Sequence, residues 1–490
     1  MEITGGVGLD TRFIVELIFR IQFLLISFSE EEQKMAAKTM SVREVFDSSP
    51  FTPYQVWICF LCFCVTLMDG FDLTMMGVTM PKIGEYLKVT PAELGLAVSA
   101  GMIGPLVGAL LLGMIADRWG RRRMLFVSAL IFGFFTILIT QIRSVEQLAL
   151  LRFLAGIGLG GAIPNALAFG CEYAPSRMRA TLTTMMWAGM AFGSAINGLV
   201  GAWLLPIYGW QSLFYVGGIV PVVICLMVAV LLPESLEFLV KQGSDKPKIR
   251  KIVSKINPAL TSGEEVQIYS AEQKLPGVPV KHLFMEGRSA TTFFLWVAFF
   301  WSFFLIWIIL AWSPTLLKQS GANIQQYSMA FFFINFGSAL AIITIGRLMD
   351  KLNRFWVVIG AQVLAYLSFV VFGSSAGASF IIVAAVCVVC GFFIFGANAG
   401  VVALGAVSYP VDIRATGLGW AYAIGKIGTM VAPIVGGYCI TMKWGVSTIC
   451  SVNGLGAVIV MAAVYGLYKT ITAHQADRIP GKGEKRAEAI

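Results

Sequence analysis

Twelve apolar runs follow one another along the chain between Tyr54 and Tyr468, separated by short polar turns and one long polar loop. A helix that crosses a bilayer needs roughly 20 apolar residues, and these runs have about that length. The pattern predicts an all-α integral membrane protein with twelve transmembrane helices. The predicted spans are 55–79, 93–115, 124–142, 147–171, 182–204, 213–232, 291–312, 327–348, 355–374, 379–403, 415–440 and 445–468.

The long polar loop divides the spans into two groups of six. The predicted organisation is an N-terminal extension over 1–53, a six-helix bundle over 54–232, a cytoplasmic linker loop over 233–290, a second six-helix bundle over 291–468 and a cytoplasmic tail over 469–490. Residues 13–28 are apolar but too short, and too interrupted by charge, to be expected to span a membrane. Because Met1, Met35 and Met40 are alternative translation starts, the status of the extension stays open.

Lysine and arginine are concentrated in the connections that follow even-numbered spans. Besides nine basic residues in the central loop, those connections hold Arg118, Arg121, Arg122, Arg123, Arg177, Arg179, Arg347, Lys351, Arg354 and Arg414. The connections that follow odd-numbered spans hold only Lys82, Lys88, Arg143, Lys318 and Lys443. The positive-inside rule places the first set in the cytoplasm, so both termini are predicted to be cytoplasmic.

The composition agrees with a membrane protein: 57% of the residues are hydrophobic and 13% are charged, whereas soluble domains carry about 25% charged residues. The formal net charge of +9 is explained by cytoplasmic loops, so no nucleic-acid partner is predicted. Two Cys-x-x-Cys pairs lie inside apolar runs, which favours small apolar residues over metal or redox sites. Since His282 and His474 both lie in polar segments, no histidine is available as a base inside the membrane.

The first span carries two carboxylates, Asp69 and Asp72, which are three positions apart and so share a helix face. An aspartate near the bilayer centre costs about 2.5 to 3.5 kcal/mol on insertion scales, and it usually faces a bundle interior or a water-filled cavity. The pair therefore predicts a functional interior. The alternative for either aspartate is a structural ion pair with a basic residue on a neighbouring helix.

An internal repeat relates the two groups of spans. The segment from Gly113 to Arg121 is matched in the second group by the segment from Gly346 to Arg354, each with an acidic and a basic residue at the same places. Arg-Ala-Thr at 179–181 is matched by Arg-Ala-Thr at 414–416, at almost the same spacing along the chain. Duplicated halves place a binding site at their interface, near the middle of the membrane.

The segment Gly-x-x-x-Asp-Arg-x-Gly-Arg at 113–121 resembles the signature of the major facilitator superfamily, and the similarity covers Thr52 to about Tyr468. Within that superfamily the chain is similar to the aromatic acid:proton symporters. The motifs that carry this second resemblance are Asp69-Gly-Phe-Asp72, the run from Arg152 to Asn165, Glu172-Tyr-Ala-Pro, Leu232-Pro-Glu-Ser, Trp312-x-Pro314 and the run from Tyr409 to Trp420. The resemblance implies a monomeric carrier in a bacterial inner membrane, driven by the proton gradient without a cofactor.

Two positions depart from the pattern of that family. The eleventh span reads Gly-Lys426-Ile-Gly where the family usually has arginine, and the tenth has Asn398 where glutamine is expected. Lysine keeps the positive charge but loses the planar fork that binds a carboxylate through two hydrogen bonds. These departures indicate a shifted substrate preference.

A benzoate-like anion, the substrate that the resemblance implies, needs a counter-charge, a flat apolar slot and hydrogen bonds to ring hydroxyls. Lysine supplies the charge, the aromatic residues supply the walls and the amides supply hydrogen bonds. The alternatives are a permanent ion pair for the lysine, packing or interfacial anchoring for the aromatic residues, and bonds between helices for the amides. The predicted substrate-binding residues are Lys426, Asn165, Asn398, Trp187, Trp420 and Tyr422.

Charged residues at the cytoplasmic helix ends form a separate group. The resemblance implies a latch that holds the outward-open state, with Asp117 facing the positive N-terminal end of helix eleven. The predicted gating residues are Asp117, Arg118, Arg121, Glu172, Arg179, Asp350, Arg354 and Arg414. Arg152, near the outer end of helix four, matches a basic position that the superfamily links to proton coupling, and its alternative is a surface anchor.

These residues predict proton-coupled uptake of an aromatic acid anion, such as 4-hydroxybenzoate, protocatechuate or benzoate, by alternating access. The predicted proton-coupling residues are Asp69, Asp72 and Arg152, with one aspartate as the acceptor because burial and mutual repulsion of two carboxylates favour proton uptake. The alternatives are a carrier of another organic acid, a sugar acid or a drug, and a non-transporting receptor on the same fold. An enzyme is disfavoured, since the sequence shows no phosphate loop, metal cluster or paired nucleophile and base. The expected partners are the aromatic carboxylate, protons and lipid.

Overall fold

The structure is a computed structural model that describes residues 39–243, 246–258, 267–269, 280–285 and 287–477, apart from the side chains of residues 117, 180, 342, 343, 411 and 473–477. The predicted extension before residue 39 and the predicted tail beyond residue 477 lie outside these residues. Within the described part, the regular structure is helical except for two short strands.

Twelve helices in the described part are long and apolar enough to cross a membrane, which confirms the predicted all-α fold with twelve spans. They are α1 (Pro53–Leu87), α2 (Pro91–Trp119), α3 (Arg121–Leu138), α4 (Val145–Tyr173), α5 (Arg179–Tyr208), α6 (Gln211–Leu231), α7 (Ser289–Gln319), α8 (Ile324–Lys351), α9 (Arg354–Ser375), α10 (Phe380–Ser408), α11 (Val411–Thr441) and α12 (Val446–Asp477). Most of these helices are longer than the apolar runs from which they were predicted, because the helix continues through polar residues on either side of the run.

Helix ends follow local sequence in the same way in both halves of the repeat. Helix α2 begins at a capping box in which Thr90 and Glu93 each accept a hydrogen bond from the other's backbone N–H. Helix α8 begins at an equivalent box formed by Asn323 and Gln326, at the repeat-related position. Helix α2 ends at Gly120, whose φ of 94° favours glycine.

A small second unit is formed by described residues before 56, by 175–177 and by part of the central loop. In it, strand β1 (Thr39–Ser41) pairs in parallel with β2 (Gln267–Tyr269) and leads into a short helix, Val42–Asp47. The carboxylate of Asp47 accepts hydrogen bonds from the backbone N–H and the hydroxyl of Ser176, at 2.6 and 2.8 Å. The described residues from Thr39 to the first span therefore pack with Ser176 and with described parts of the central loop.

Close backbone contacts recur in both halves of the repeat. A Cβ atom at Gly104 in α2 would lie 2.2 Å from the carbonyl oxygen of Phe153 in α4. At the repeat-related contact, a Cβ atom at Gly337 in α8 would lie 2.1 Å from the carbonyl oxygen of Val388 in α10. Small residues let membrane helices approach this closely, so the duplicated sequence builds the same helix pair twice.

The two ends of the spanning helices differ in how α1–α6 contact α7–α12. We call the end with the arginine-rich connections after α2, α4 and α8 the basic end, and the opposite end the far end. Toward the far end, the hydroxyl of Ser99 in α2 donates to the carbonyl of Met430 in α11, at 2.6 Å. Lys318 of α7 and Glu85 of α1 form an ion pair near the same end.

The basic end is more open. Gly113 in α2 and Gly346 in α8 have open space where a Cβ atom would lie. Met114 is 63% exposed and Trp119 is 59% exposed. The hydrogen bond of Ser99 and the ion pair of Lys318 therefore join the halves toward the far end, whereas residues near the basic end have open space around them.

We expect Gly77→Val to prevent this far-end contact, because a Cβ atom at Gly77 in α1 would lie 2.1 Å from the carbonyl oxygen of Leu310 in α7. The variant should shift the protein toward a state open at the far end and lower transport by about tenfold or more. Hydrogen exchange in the far-end turns of α1 and α7 should become faster.

The matched control is Gly360→Val, which adds the same side chain in open space on α9. It should change neither hydrogen exchange nor transport. Unaltered exchange in Gly77→Val would show that the far-end contact does not set the conformational balance.

Candidate functional site

A buried ion pair lies in the interior of the first six helices. Arg152 of α4 donates from Nη1 to Oδ1 of Asp72 in α1 at 2.8 Å, and the two side chains are 5% and 3% exposed. Gly101 in α2 leaves room for the arginine, whose Cβ atom would be 3.1 Å from a Cβ atom at that position. The anchoring alternative would require Arg152 to lie at the protein surface, but the side chain is buried.

Asp69 has a different environment, although it lies on the same helix only one turn away. Its side chain is buried, and neither carboxylate oxygen has a hydrogen-bond partner among the described residues. Lys426 of α11 lies within electrostatic range of this carboxylate. Burying a carboxylate is costly unless it is hydrogen-bonded, so Asp69 differs from Asp72 in lacking a hydrogen-bond partner that offsets this cost.

Lys426 projects from the second half of the chain into accessible space. Gly425 and Gly428 pack against α7, where a Cβ atom at Gly428 would lie 2.3 Å from the carbonyl oxygen of Phe300. The lysine between them is exposed, and it forms no ion pair within 4 Å to any described residue. Lys426 thus lies near Asp69 without a fixed partner among the described residues. The alternative of a permanent ion pair is not what the described residues form.

Two of the three predicted aromatic residues occupy repeat-related positions. Trp187 in α5 and Tyr422 in α11 correspond to each other when the two Arg-Ala-Thr segments are aligned, and they are 48% and 41% exposed. The Tyr422 ring is held edge-on by Phe299 and Phe303 of α7, with ring centroids 5.4 and 5.8 Å away. The two phenylalanines were not among the predicted residues, because only the contact between α7 and α11 brings them to the tyrosine.

Trp420 and Asn398 make contacts of the kind that their alternatives describe, whereas Asn165 bonds within its own helix. Trp420 stacks on Trp296 with ring centroids 6.1 Å apart. The amide of Asn398 in α10 donates to the hydroxyl of Ser302 in α7 at 2.9 Å, which joins two helices. The amide of Asn165 donates to the carbonyl of Gly161 on its own helix at 2.7 Å.

The predicted gating residues do not form a single cluster. Arg121 and Glu172 pair at 3.1 Å and join α3 to α4 within the first half. Arg179 is half-buried, and the Arg414 Nε donates to the Tyr409 carbonyl at 3.4 Å. The exposed members are Arg118, Asp350 and Arg354, and the side chain of Asp117 lies outside the described residues.

Sequence reasoning missed Glu234 and Ser235 as parts of the basic-end network. The hydroxyl of Ser235 donates to the Glu172 carboxylate. The Glu234 carboxylate accepts from the backbone N–H of Arg122 at 3.1 Å. Both residues belong to the Leu-Pro-Glu-Ser motif that follows the sixth span, so the motif was the available signal.

Comparisons with known proteins agree on the class of molecule. Residues 62–425 match the sequence model of the Major Facilitator Superfamily. The chain is 32% identical over 453 residues to the 4-hydroxybenzoate transporter PcaK of Acinetobacter baylyi, covering 91% of this chain and 98% of that protein. It is 32% identical to a gallate transporter of Pseudomonas putida, covering 85% and 93%.

Among solved structures, a D-xylose-proton symporter shares 18% identity and superposes with a TM-score of 0.64 over 85% of this chain and 97% of that one. A bacterial homologue of the human lysosomal transporter Spinster shares 15% identity and gives a TM-score of 0.62 over 86% and 96%. At these identities the structural likeness supports the fold.

We expect Arg152→Gln to destabilise the protein, because it leaves the buried Asp72 carboxylate without its partner. Breaking one side of a buried ion pair costs about 3 to 5 kcal/mol. The double variant Arg152→Gln with Asp72→Asn should recover most of that loss, since two neutral amides replace the pair. Thermal unfolding of the purified protein measures both effects.

Arg143→Gln is the matched control, because Arg143 is exposed at the end of the helix pair that α3 and α4 form. It should shift the unfolding temperature very little. If the double variant is no more stable than Arg152→Gln alone, the pair is not the source of the stabilisation.

Proposed function

We propose a transport function, because the chain belongs to the major facilitator superfamily and, within it, to the aromatic acid permeases. The protein takes up an aromatic acid anion such as 4-hydroxybenzoate together with protons, by alternating access in a bacterial inner membrane. The observation that carries the proposal is the Asp69 carboxylate, buried without a partner among the described residues and within electrostatic range of an accessible lysine. The relatives of this chain are transporters rather than enzymes.

Asp69 is the proton acceptor in this proposal. Asp72 has a fixed partner in Arg152, whose Nη1 donates to its Oδ1 at 2.8 Å in this conformation. Asp69 has no such partner in the described part of the chain and changes its charge most easily. Protonation of Asp69 leaves Lys426 free to bind the substrate anion, and loss of the proton restores an attraction between Asp69 and the lysine. One charge that moves through 100 mV supplies about 2.3 kcal/mol to drive uptake.

The substrate lies between repeat-related aromatic residues in this proposal. Lys426 binds the carboxylate, and Tyr422 lies one helical turn away on the same face of α11. Trp187 occupies the matching position on α5 in the other half. An aromatic ring held between such walls gains about 0.5 to 1.5 kcal/mol beyond the burial of its area.

The conformation is the inward-open state if the basic end faces the cytoplasm, as the positive-inside rule predicts. The far end is then the outer side, closed by the contacts between α2 and α11 and by the ion pair of Glu85 with Lys318. That pair joins the two halves, so the outward-open state requires it to separate. The site as proposed is complete within one chain, which is consistent with a monomer.

The experiment that tests the function measures uptake of labelled 4-hydroxybenzoate by cells that express the protein, with protocatechuate and benzoate as competitors. We expect accumulation that a protonophore abolishes. Asp69→Asn should lower accumulation by about tenfold or more while keeping exchange of labelled for unlabelled substrate. If Asp69→Asn and Asp72→Asn both accumulate substrate like the unmodified protein, the proton-coupling proposal fails.

We expect Lys426→Met to raise the KM for 4-hydroxybenzoate by about 10- to 100-fold, the loss typical of a hydrogen bond to a charged group. Lys426→Arg should keep the charge and a KM near that of the unmodified protein. Concentration dependence of initial uptake rates gives the KM. A KM that is unchanged in Lys426→Met would place the substrate carboxylate elsewhere.

A further inference from the structure

The central loop contains a short basic helix, Lys246–Ile256, which we call the loop helix. Its apolar side is covered, because Ile252, Val253 and Ile256 are buried. At 3.6 residues per turn these three residues lie on one side of the helix, and the basic residues occupy the rest of its surface. The exposed basic residues are Lys246, Lys248, Arg250, Lys251 and Lys255.

The small second unit, to which the loop helix belongs, is basic where the structure describes it. Its described residues include eight lysines and arginines and three acidic residues. Each of the acids makes a contact outside the loop helix. Glu44 caps the short helix to which it belongs, Asp47 accepts from Ser176, and Glu237 pairs with Lys241 at 3.5 Å. The loop helix therefore gives this unit an exposed surface of positive charge.

The loop helix lies beside the start of the first spanning helix. The Nζ atom of Lys255 is 4.9 Å from the centroid of the Tyr54 ring, and Tyr54 is the second residue of α1. Trp57, one turn further along α1, is also exposed. Tyrosine and tryptophan at the ends of spanning helices lie at the level of the lipid headgroups. A lysine that contacts the Tyr54 ring is therefore at that level too.

We propose that the basic surface of the loop helix binds the headgroups of anionic phospholipids at the basic end of the protein. Clusters of lysine and arginine at a membrane surface are attracted to anionic lipids, and the attraction falls off within a Debye length. Lys255 is close enough because it lies on Tyr54, and Lys251 is one turn away on the same side of the helix. Since the apolar side of the helix is already buried, the contact is electrostatic and no apolar residue of this helix enters the bilayer.

The test measures hydrogen exchange in the full-length protein reconstituted into vesicles. One set of vesicles contains phosphatidylcholine alone, and the other contains equal amounts of phosphatidylcholine and phosphatidylglycerol. We expect backbone exchange in residues 246–256 to be slower by about fivefold or more with phosphatidylglycerol, because bound lipid stabilises the helix. High salt should remove most of this difference.

The double variant Lys251→Gln with Lys255→Gln should lose most of the slowing. Glutamine forms helices about as well as lysine, so exchange in pure phosphatidylcholine should stay as in the unmodified protein. The matched control is Lys88→Gln with Lys443→Gln, which removes the same charge at two exposed positions in turns at the far end. The control should keep the full effect of phosphatidylglycerol on the loop helix.

Three results would overturn the proposal. The first is equal exchange of the loop helix in the two kinds of vesicle, and the second is full slowing in the double variant of Lys251 and Lys255. The third is the same slowing on adding inorganic phosphate to phosphatidylcholine vesicles, which would indicate a site for free anions. Because hydrogen exchange does not depend on transport, these results leave the proposed transport function to its own test.

Discussion

The cost of placing charge inside the membrane governs this structure. Asp72 and Arg152 meet that constraint by pairing at 2.8 Å inside the first six helices. Desolvating both ions offsets much of their attraction, so the pair contributes less to stability than its short distance suggests. Its stronger effect is to tie α1 to α4 at one level, which leaves Asp69 one turn away as a carboxylate without a partner among the described residues.

The duplication gives the two halves the same framework but different charges. The contacts of Gly104 with α4 and of Gly337 with α10 are repeat-related, and so are the capping boxes that begin α2 and α8. In the same alignment of the halves, the position of Asp69 in α1 corresponds to Ser302 in α7, which accepts a hydrogen bond from Asn398. The second half therefore satisfies that position with neutral groups, whereas the first half keeps an acid there.

Much of the fold could be predicted from the sequence, because hydropathy and positive charge in loops act locally. The twelve spans follow from length and apolar character alone. Their ends were predicted less accurately, because helices begin at caps such as Thr90 and Asn323, before the apolar runs start. The pairing of Asp72 with Arg152 could not be derived, since the two residues are far apart in the chain and no local pattern records which helices touch. The same reason hides the contacts of Phe299 and Phe303 with Tyr422.

In the proposed mechanism, the two aspartates have different roles because Asp72 has a fixed partner and Asp69 has none among the described residues. Asp72 is held by Arg152, so separating this pair requires α1 and α4 to rearrange. In the proposed mechanism, Asp69 has no hydrogen-bond partner among the described residues and takes up or loses the proton without such a movement, and its charge acts on Lys426. In that mechanism, an anion that neutralises Lys426 weakens this attraction, so the proton and the substrate influence the same contact. A carrier built this way couples their movements through one electrostatic interaction between the halves, without direct contact between proton and substrate.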